Sequence, residues 1–288
     1  MTVRMRCDSH VHIVGPADRY PQVAERTYLA DVATLKQLER VSASRAIRRF
    51  VIVQPSFYGT DNSMLLDGLD TLAGRGRGVA VINPETTSAR TLSGMAAQGV
   101  RGLRLNLYSP LREKAPLAAR FEAVEGHARD LNWHIEVIAP IKLLSENTLL
   151  LRDSRVPVVI DHYGLYAGTR PDQPDGISLL ELLARRHVWI KLSAPYRVSA
   201  DPFAIRADAA WVAAILKVAP DRCVWGSDWP HTPPHDQHMG SAVLSPYRRL
   251  RYETLVDEFM AATRSAELAE QILSDNPARL YGFDGFPS

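Results

Sequence analysis

The stretch Cys7–Val14, CDSHVHIV, sets polar side chains into a β-prone, apolar run. In a strand, alternate residues face the same side, so His10 and His12 arrive together at one face. Runs of this kind, apolar at first and chemically loaded near the end, recur down the chain. Strands are expected at Arg6–Ile13, Phe50–Gln54, Gly78–Asn83, Gly102–Asn106, Trp133–Ile138, Val156–His162, Val188–Ser193 and Cys223–Ser227. Amphipathic stretches separate them. Asp31 is a plausible N-cap for a helix with Val32, Leu35, Leu38 and Val41 on one face, and Asp61 precedes Met64, Leu65, Leu69 and Leu72. Further helices are expected within Leu117–Leu131, Ile141–Asp153, Ile177–His187 and Phe203–Val218.

Strands alternating with helices read as parallel βαβ units, and a count of eight favours a closed (β/α)8 TIM barrel over an open doubly wound sheet. No G-x-G-x-x-G fingerprint opens a helix; GRGRG at Gly74–Gly78 reads as a loop. With no repeat, linker or low-complexity tract, residues 1–288 are expected to form a single domain of the α/β class.

Composition narrows the partners. The 288 residues are 46% hydrophobic and 23% charged, with a formal net charge of +2, too small to argue for nucleic acid or a membrane surface. No apolar run is long enough to span a bilayer. The first expected strand leaves no room for a signal peptide, and two cysteines, Cys7 and Cys223, suit a reducing cytoplasm. The expectation is a cytoplasmic protein acting on a small molecule, with a homo-oligomer open.

In such barrels the chemistry sits where strands end. Here those ends carry His10 and His12, Gln54 and Ser56, Asn83, Arg104 and Asn106, Glu136, Asp161 and His162, Ser193 with Tyr196 and Arg197, and Asp228 with His231. His10, His12, His162 and Asp228 could hold one divalent metal, zinc first, with an open position for water, or no metal at all. Taken singly, each is more simply a satisfied polar residue at a loop junction; four converging groups favour a site.

These motifs carry a resemblance. DSHVH, DHYG after the sixth strand, GSDWPH at the eighth and the closing DNPARLYGF resemble the amidohydrolase superfamily. HIVGPADRYP, QPSFYGTDN and RGLRLN are similar to its branch of 2-pyrone-4,6-dicarboxylate lactonases. The resemblance implies a hydrolase that opens a lactone by water attack. Asp228 would then be the general base, and His10, His12 and His162 would hold a metal or polarise the carbonyl without one. No evident carboxylated-lysine position on the fourth strand means at most one metal. The same scaffold also accommodates a metal-dependent decarboxylase or amide hydrolase, or a silent binding protein, against which an intact Asp228 speaks.

Departures bear on the substrate. Leu165 stands where the lactonase pattern D-H-x-G-R has arginine, and Tyr108, Ser109 and Pro110 where another would be sought. Arg104 and Arg197 remain to meet one anionic group, with Ser56, Tyr196 and His231 as further substrate contacts. Tyr163, Tyr166 and Tyr196 could accept a ring or sugar face. The expected substrate is a small anionic lactone. Lys191 should point into the barrel and find Asp8 or Glu136 as a structural partner, with a catalytic lysine as the other reading. Glu136 could instead ligate a metal or orient a histidine. His235 and His238 read as solvent-facing, and the pairs Arg48–Arg49 and Arg248–Arg249 as solvated surface charge.

Overall fold

The computed structural model describes residues 4–108, 117–233 and 242–283. Its centre is an eight-stranded parallel sheet in sequential order. The strands are Arg6–Val11, Ile47–Val53, Gly76–Ala80, Val100–Asn106, His134–Ile138, Val158–Ile160, Val188–Ser193 and Cys223–Gly226. The first and eighth meet through a parallel bridge between Val11 and Trp229, with Asp228 N donating to the His10 carbonyl (2.9 Å) and His12 N to that of Trp229 (2.8 Å). The sheet thus closes into the expected α/β barrel. A short parallel pair, Leu29–Ala30 with Leu244–Ser245, lies apart from it.

One irregularity decides which side chains enter the barrel. Asp8 pairs with Phe50 but Val11 with Ile52, so the first strand carries one extra residue between them. Such a bulge reverses the alternation of faces. Before it Cys7 packs with Val51, Val53, Val79, Val159 and Val224 inside the barrel, and Asp8 points outward, accepting from Tyr252 Oη (2.8 Å). After it Val11 joins the outer helix-facing core, and His10 and His12 turn inward. Without the extra residue, Asp8 would share the histidines' face.

The helices differ from expectation in detail. The first is Leu35–Ser42, capped by Thr34 in a reciprocal capping box with Gln37, and not by Asp31. Ile141–Asp153 is two short helices, Ile141–Glu146 and Thr148–Arg152. Phe203 stays exposed and the eighth helix starts only at Ala209, capped by Asp208. A helix at Ala89–Ala97 was not expected; its apolar face is only Leu92 and Met95. GRGRG is no mere loop, since Gly76–Gly78 begins the third strand. A Cβ on Gly78 would lie 2.9 Å from both Leu65 and Leu69, so the helix above packs directly on backbone. Arg77 donates to the Tyr281 and Gly282 carbonyls and lies 4.4 Å from the Phe283 ring, tying the C-terminal segment across the barrel floor. Cys7 and Cys223 are both free and buried, one among the inner valines and the other in the outer core. Among the described residues, no helix is long and apolar enough to cross a membrane.

Candidate active site

The side chains of His10, His12, His162 and Asp228 converge. Asp228 Oδ1 lies 3.3 Å from His12 Nε2, 3.6 Å from His10 Nε2 and 4.0 Å from His162 Nε2. All four side chains are almost fully buried. Their backbones are shaped for this. His162, Asp228 and His231 occupy the left-handed region, at φ of 47°, 58° and 69°, which non-glycine residues rarely adopt. Such conformations persist where the surroundings enforce them, as at catalytic sites. Gly226 completes the approach: a Cβ there would come within 2.6 Å of His10 Cβ and 2.9 Å of its backbone nitrogen, leaving no soft atom to yield.

Each group is held from behind. His12 Nδ1 donates to the Val53 carbonyl (2.8 Å), which leaves Nε2 as a bare acceptor facing Asp228. His162 Nδ1 pairs with Ser193 Oγ (2.8 Å). Asp228 Oδ2 accepts from Tyr196 Oη (2.7 Å) and Arg197 Nε (2.8 Å), while Oδ1 has no hydrogen-bond partner among the described residues. Burial alone would raise the Asp228 carboxyl, but the Arg197 guanidinium and the histidines hold it well below the ordinary range. It stays ionised. Burial pushes His162 down to about 3 and His231 down to about 4, so both rings are neutral near pH 7.

A second buried layer lies beneath. Lys191 Nζ donates to Glu136 and to His10 Nδ1 (3.1 Å), and stands 3.4 Å from Asp161 Oδ1. Arg104 donates through Nη2 to Asp161 Oδ2 (3.2 Å) and through Nη1 to the Gln54 carbonyl (3.1 Å). Within this layer burial, and then the charge of Asp161, push the Glu136 carboxyl above its ordinary range. Asp161 is held well below its usual range despite burial, chiefly by Lys191 and His10.

Among the described residues, two groups have metal-like convergence: His10, His12 and Asp228, and His10, Asp161 and His162. Bonds of about 2.0–2.1 Å in a tetrahedron place ligand atoms about 3.3 Å apart. His12 and Asp228 meet that spacing and both present lone pairs, so the spot suits a single cation, with His162 nearby. His10 fits less well, because its far nitrogen accepts from a lysine.

The sequence matches the amidohydrolase family over residues 7–283. The chain belongs to that family. This amidohydrolase is 31% identical to a 2-pyrone-4,6-dicarboxylate hydrolase of Comamonas testosteroni, over 95% of its own length and 89% of the relative's. It is 29% identical to a 4-sulfomuconolactone hydrolase of Hydrogenophaga intermedia, covering 96% and 88%. A probable 2-pyrone-4,6-dicarboxylic acid hydrolase from Acinetobacter baumannii, solved with citric acid bound, superposes with a TM-score of 0.81 at 29% identity, covering 97% and 100%. These homologues are lactone hydrolases, so the amidohydrolase's relatives act on carboxylic ester bonds.

Of the expected substrate contacts, Tyr196, Arg197 and His231 adjoin Asp228: Tyr196 and Arg197 by side chain, His231 by its backbone N–H to the Asp228 carbonyl (2.7 Å). Arg104 is buried one layer lower. Ser56 sits half-buried in the turn Ser56–Tyr58 and bonds to none of the four among the described residues. Lys191 pairs with Glu136; Asp8 is turned away by the bulge. Arg248 is not surface charge. It is half-buried over the Tyr196 ring at 4.6 Å and donates to the Thr232 and Pro202 carbonyls. Its RR doublet offered no signal of that. Asp161, a missed member of the central cluster, did stand beside His162 at a strand end. Ser109, Pro110, His235 and His238 lie outside the described residues.

Proposed function

We propose that this amidohydrolase opens a small anionic lactone by water attack, with Asp228 as general base. One observation carries the reading. Asp228 is clamped through Oδ2 by Tyr196 and Arg197, while its unpartnered Oδ1 faces the histidine pocket. A carboxylate held this way has one oxygen to orient and one to accept a proton. Water adds to the lactone carbonyl carbon and passes a proton to Oδ1. The tetrahedral oxyanion then collapses, the ring oxygen leaves with the proton from Asp228, and the product is a hydroxy acid. The neutral His10 ring, with Nε2 facing the same space, supplies a hydrogen bond to the developing oxyanion. A divalent ion held by His12 and Asp228 would, when bound, polarise the same carbonyl.

An anionic substituent is supported by the relatives, whose names describe a sulfonated and a dicarboxylated lactone. Arg104 and Arg197 were the guanidiniums expected to meet it, but both serve carboxylates of the protein itself. We assign that role to Arg248, beside Tyr196, with Arg197 adding positive potential. A panel of lactones with pH-indicator detection tests the function, comparing native protein with Asp228→Asn. Acid release by the native protein alone supports it; equal rates, or no lactone turned over, refute it.

A further inference from the structure

Lys191 is among the buried charges that the hydrolytic reading leaves without a task. It is completely buried, comes from the seventh strand, and reaches across the barrel to a histidine of the first. An ammonium has only protons to offer. Its contact with His10 Nδ1 at 3.1 Å therefore makes that nitrogen an acceptor. A neutral imidazole that accepts at Nδ1 carries its proton at Nε2. The rival donor arrangement, His10 Nδ1–H to Asp161 Oδ1, has a distance of 3.2 Å, yet Asp161 Oδ1 has no well-aligned hydrogen-bond partner among the described residues. The contact with the lysine is the shorter one, and Asp161 Oδ1 also faces the ammonium at 3.4 Å. At the other end of the ring, His10 Nε2 is fully buried, without a hydrogen-bond partner among the described residues, and aimed at the space beside Asp228 Oδ1.

We infer that Lys191 is a positioning residue that fixes His10 as the Nε2–H tautomer, making it a hydrogen-bond donor to the substrate's carbonyl oxygen instead of a metal ligand. This deepens the lactonase reading and rests on it for the identity of the acceptor. The tautomer itself does not. Glu136 and Asp161 serve the same end by holding the ammonium in place: Lys191 donates to the first and lies 3.4 Å from the second. The two histidines at the end of the first strand then divide. His12, held by a backbone carbonyl at Nδ1, presents a lone pair, and His10 presents a proton. A pocket floor with a donor beside an ionised carboxylate suits an oxyanion next to an attacking water.

The test reads the proton directly. Long-range nitrogen–proton correlation spectra of histidine-labelled, metal-free protein show which ring nitrogen of His10 is bare, with His10→Gln assigning the signal. A protonated Nε2 and bare Nδ1 are expected; a protonated Nδ1 overturns the inference. Lys191→Met should reverse the pattern by releasing Nδ1 to Asp161, and should tighten zinc binding about tenfold or more in a chelator competition. It should also lower kcat by about a hundredfold with little change in KM, the signature of an oxyanion donor lost. Because Lys191→Met leaves two buried carboxylates short of a cation, Lys191→Met/Glu136→Gln is the partner variant. Unchanged zinc affinity and an unchanged His10 spectrum in either folded variant would overturn the assignment. A confirmed tautomer in a protein that hydrolyses no lactone would sink the lactonase reading alone.

Discussion

Arg197 donates its Nε to Asp228 Oδ2 over 2.8 Å, with both side chains buried. The arginine that the strand-end pattern offers to the substrate thus clamps the carboxylate proposed as general base. Its Nη2 is further engaged by Thr232 Oγ1 at 2.7 Å, which fixes the fork on both sides. Arg197→Met should therefore damage turnover of an anionic lactone and its neutral ester alike, by about ten- to a hundredfold in kcat/KM. Steady-state kinetics on the acid–ester pair check this. A loss confined to the acid would return Arg197 to substrate binding.

Arg248 should behave in the opposite way. Losing a charge-assisted hydrogen bond to the substrate costs about 1.5–3 kcal/mol. Arg248→Met is expected to raise KM for the acid by roughly ten- to a hundredfold and to leave the ester nearly unchanged. Equal KM changes for both would remove the assignment.

Arg104 is a structural cation on this account, paired with Asp161 beneath the pocket. Removing one partner of a buried pair leaves an uncompensated charge and costs about 3–5 kcal/mol. Arg104→Met should lower unfolding free energy by that order in urea titrations. A loss below about 1 kcal/mol, the range of solvent-exposed pairs, would contradict it.

The fold was legible because each strand is a short β-branched run ending in polar residues, and the grouping of His10, His12, His162 and Asp228 at one end of the barrel follows from strand ends alone. Two things were not. The bulge between Asp8 and Val11 is a property of pairing with the second strand, and nothing in CDSHVHIV marks it. It explains why D-x-H-x-H, which alternation would place on one face, splits into an outward aspartate and inward histidines. The internal pairing of Arg104 and Arg197 was hidden for a related reason. Sequence shows that an arginine reaches the pocket but not whether a carboxylate from a distant strand already occupies its fork. Arg248, four residues from the nearest helix and in a doublet, looked like the solvated charge that Arg249 is.

Gly226 tests the closeness of the first and eighth strands. A methyl group there meets His10 Cβ at 2.6 Å with backbone behind it. Gly226→Ala should cost about 1–3 kcal/mol of stability, as overpacking does, and should displace His10 enough to depress activity. Thermal or urea unfolding with parallel assays measures both. A neutral outcome in each would mean the strands are further apart than described.

His134, buried over Gly102 near the barrel floor, links stability to pH. Burial, then the charge of Lys191, lowers its pKa from 6.5 to about 3. Below pH 6.5 the unfolded chain takes up a proton that the folded ring refuses, so stability present above 6.5 is lost as pH falls towards 3. The loss from this residue is about 1.4 kcal/mol per pH unit inside that window. His134→Gln should flatten the slope of unfolding free energy between pH 6 and pH 4 by about that amount relative to native protein. Parallel slopes would show that His134 does not titrate as described.

The central claim is that water attacks the carbonyl carbon of a cyclic ester with Asp228 taking its proton. Turnover of a lactone in oxygen-18 water, read by mass spectrometry with fragmentation, addresses it most directly. The expected product carries one heavy oxygen in its new carboxylate, and Asp228→Asn, with a rate lower by about a hundredfold to ten-thousandfold, yields almost none. A product with no heavy oxygen would indicate isomerisation, and a label in the hydroxyl group would indicate cleavage at the alkyl carbon. Either result would contradict the mechanism.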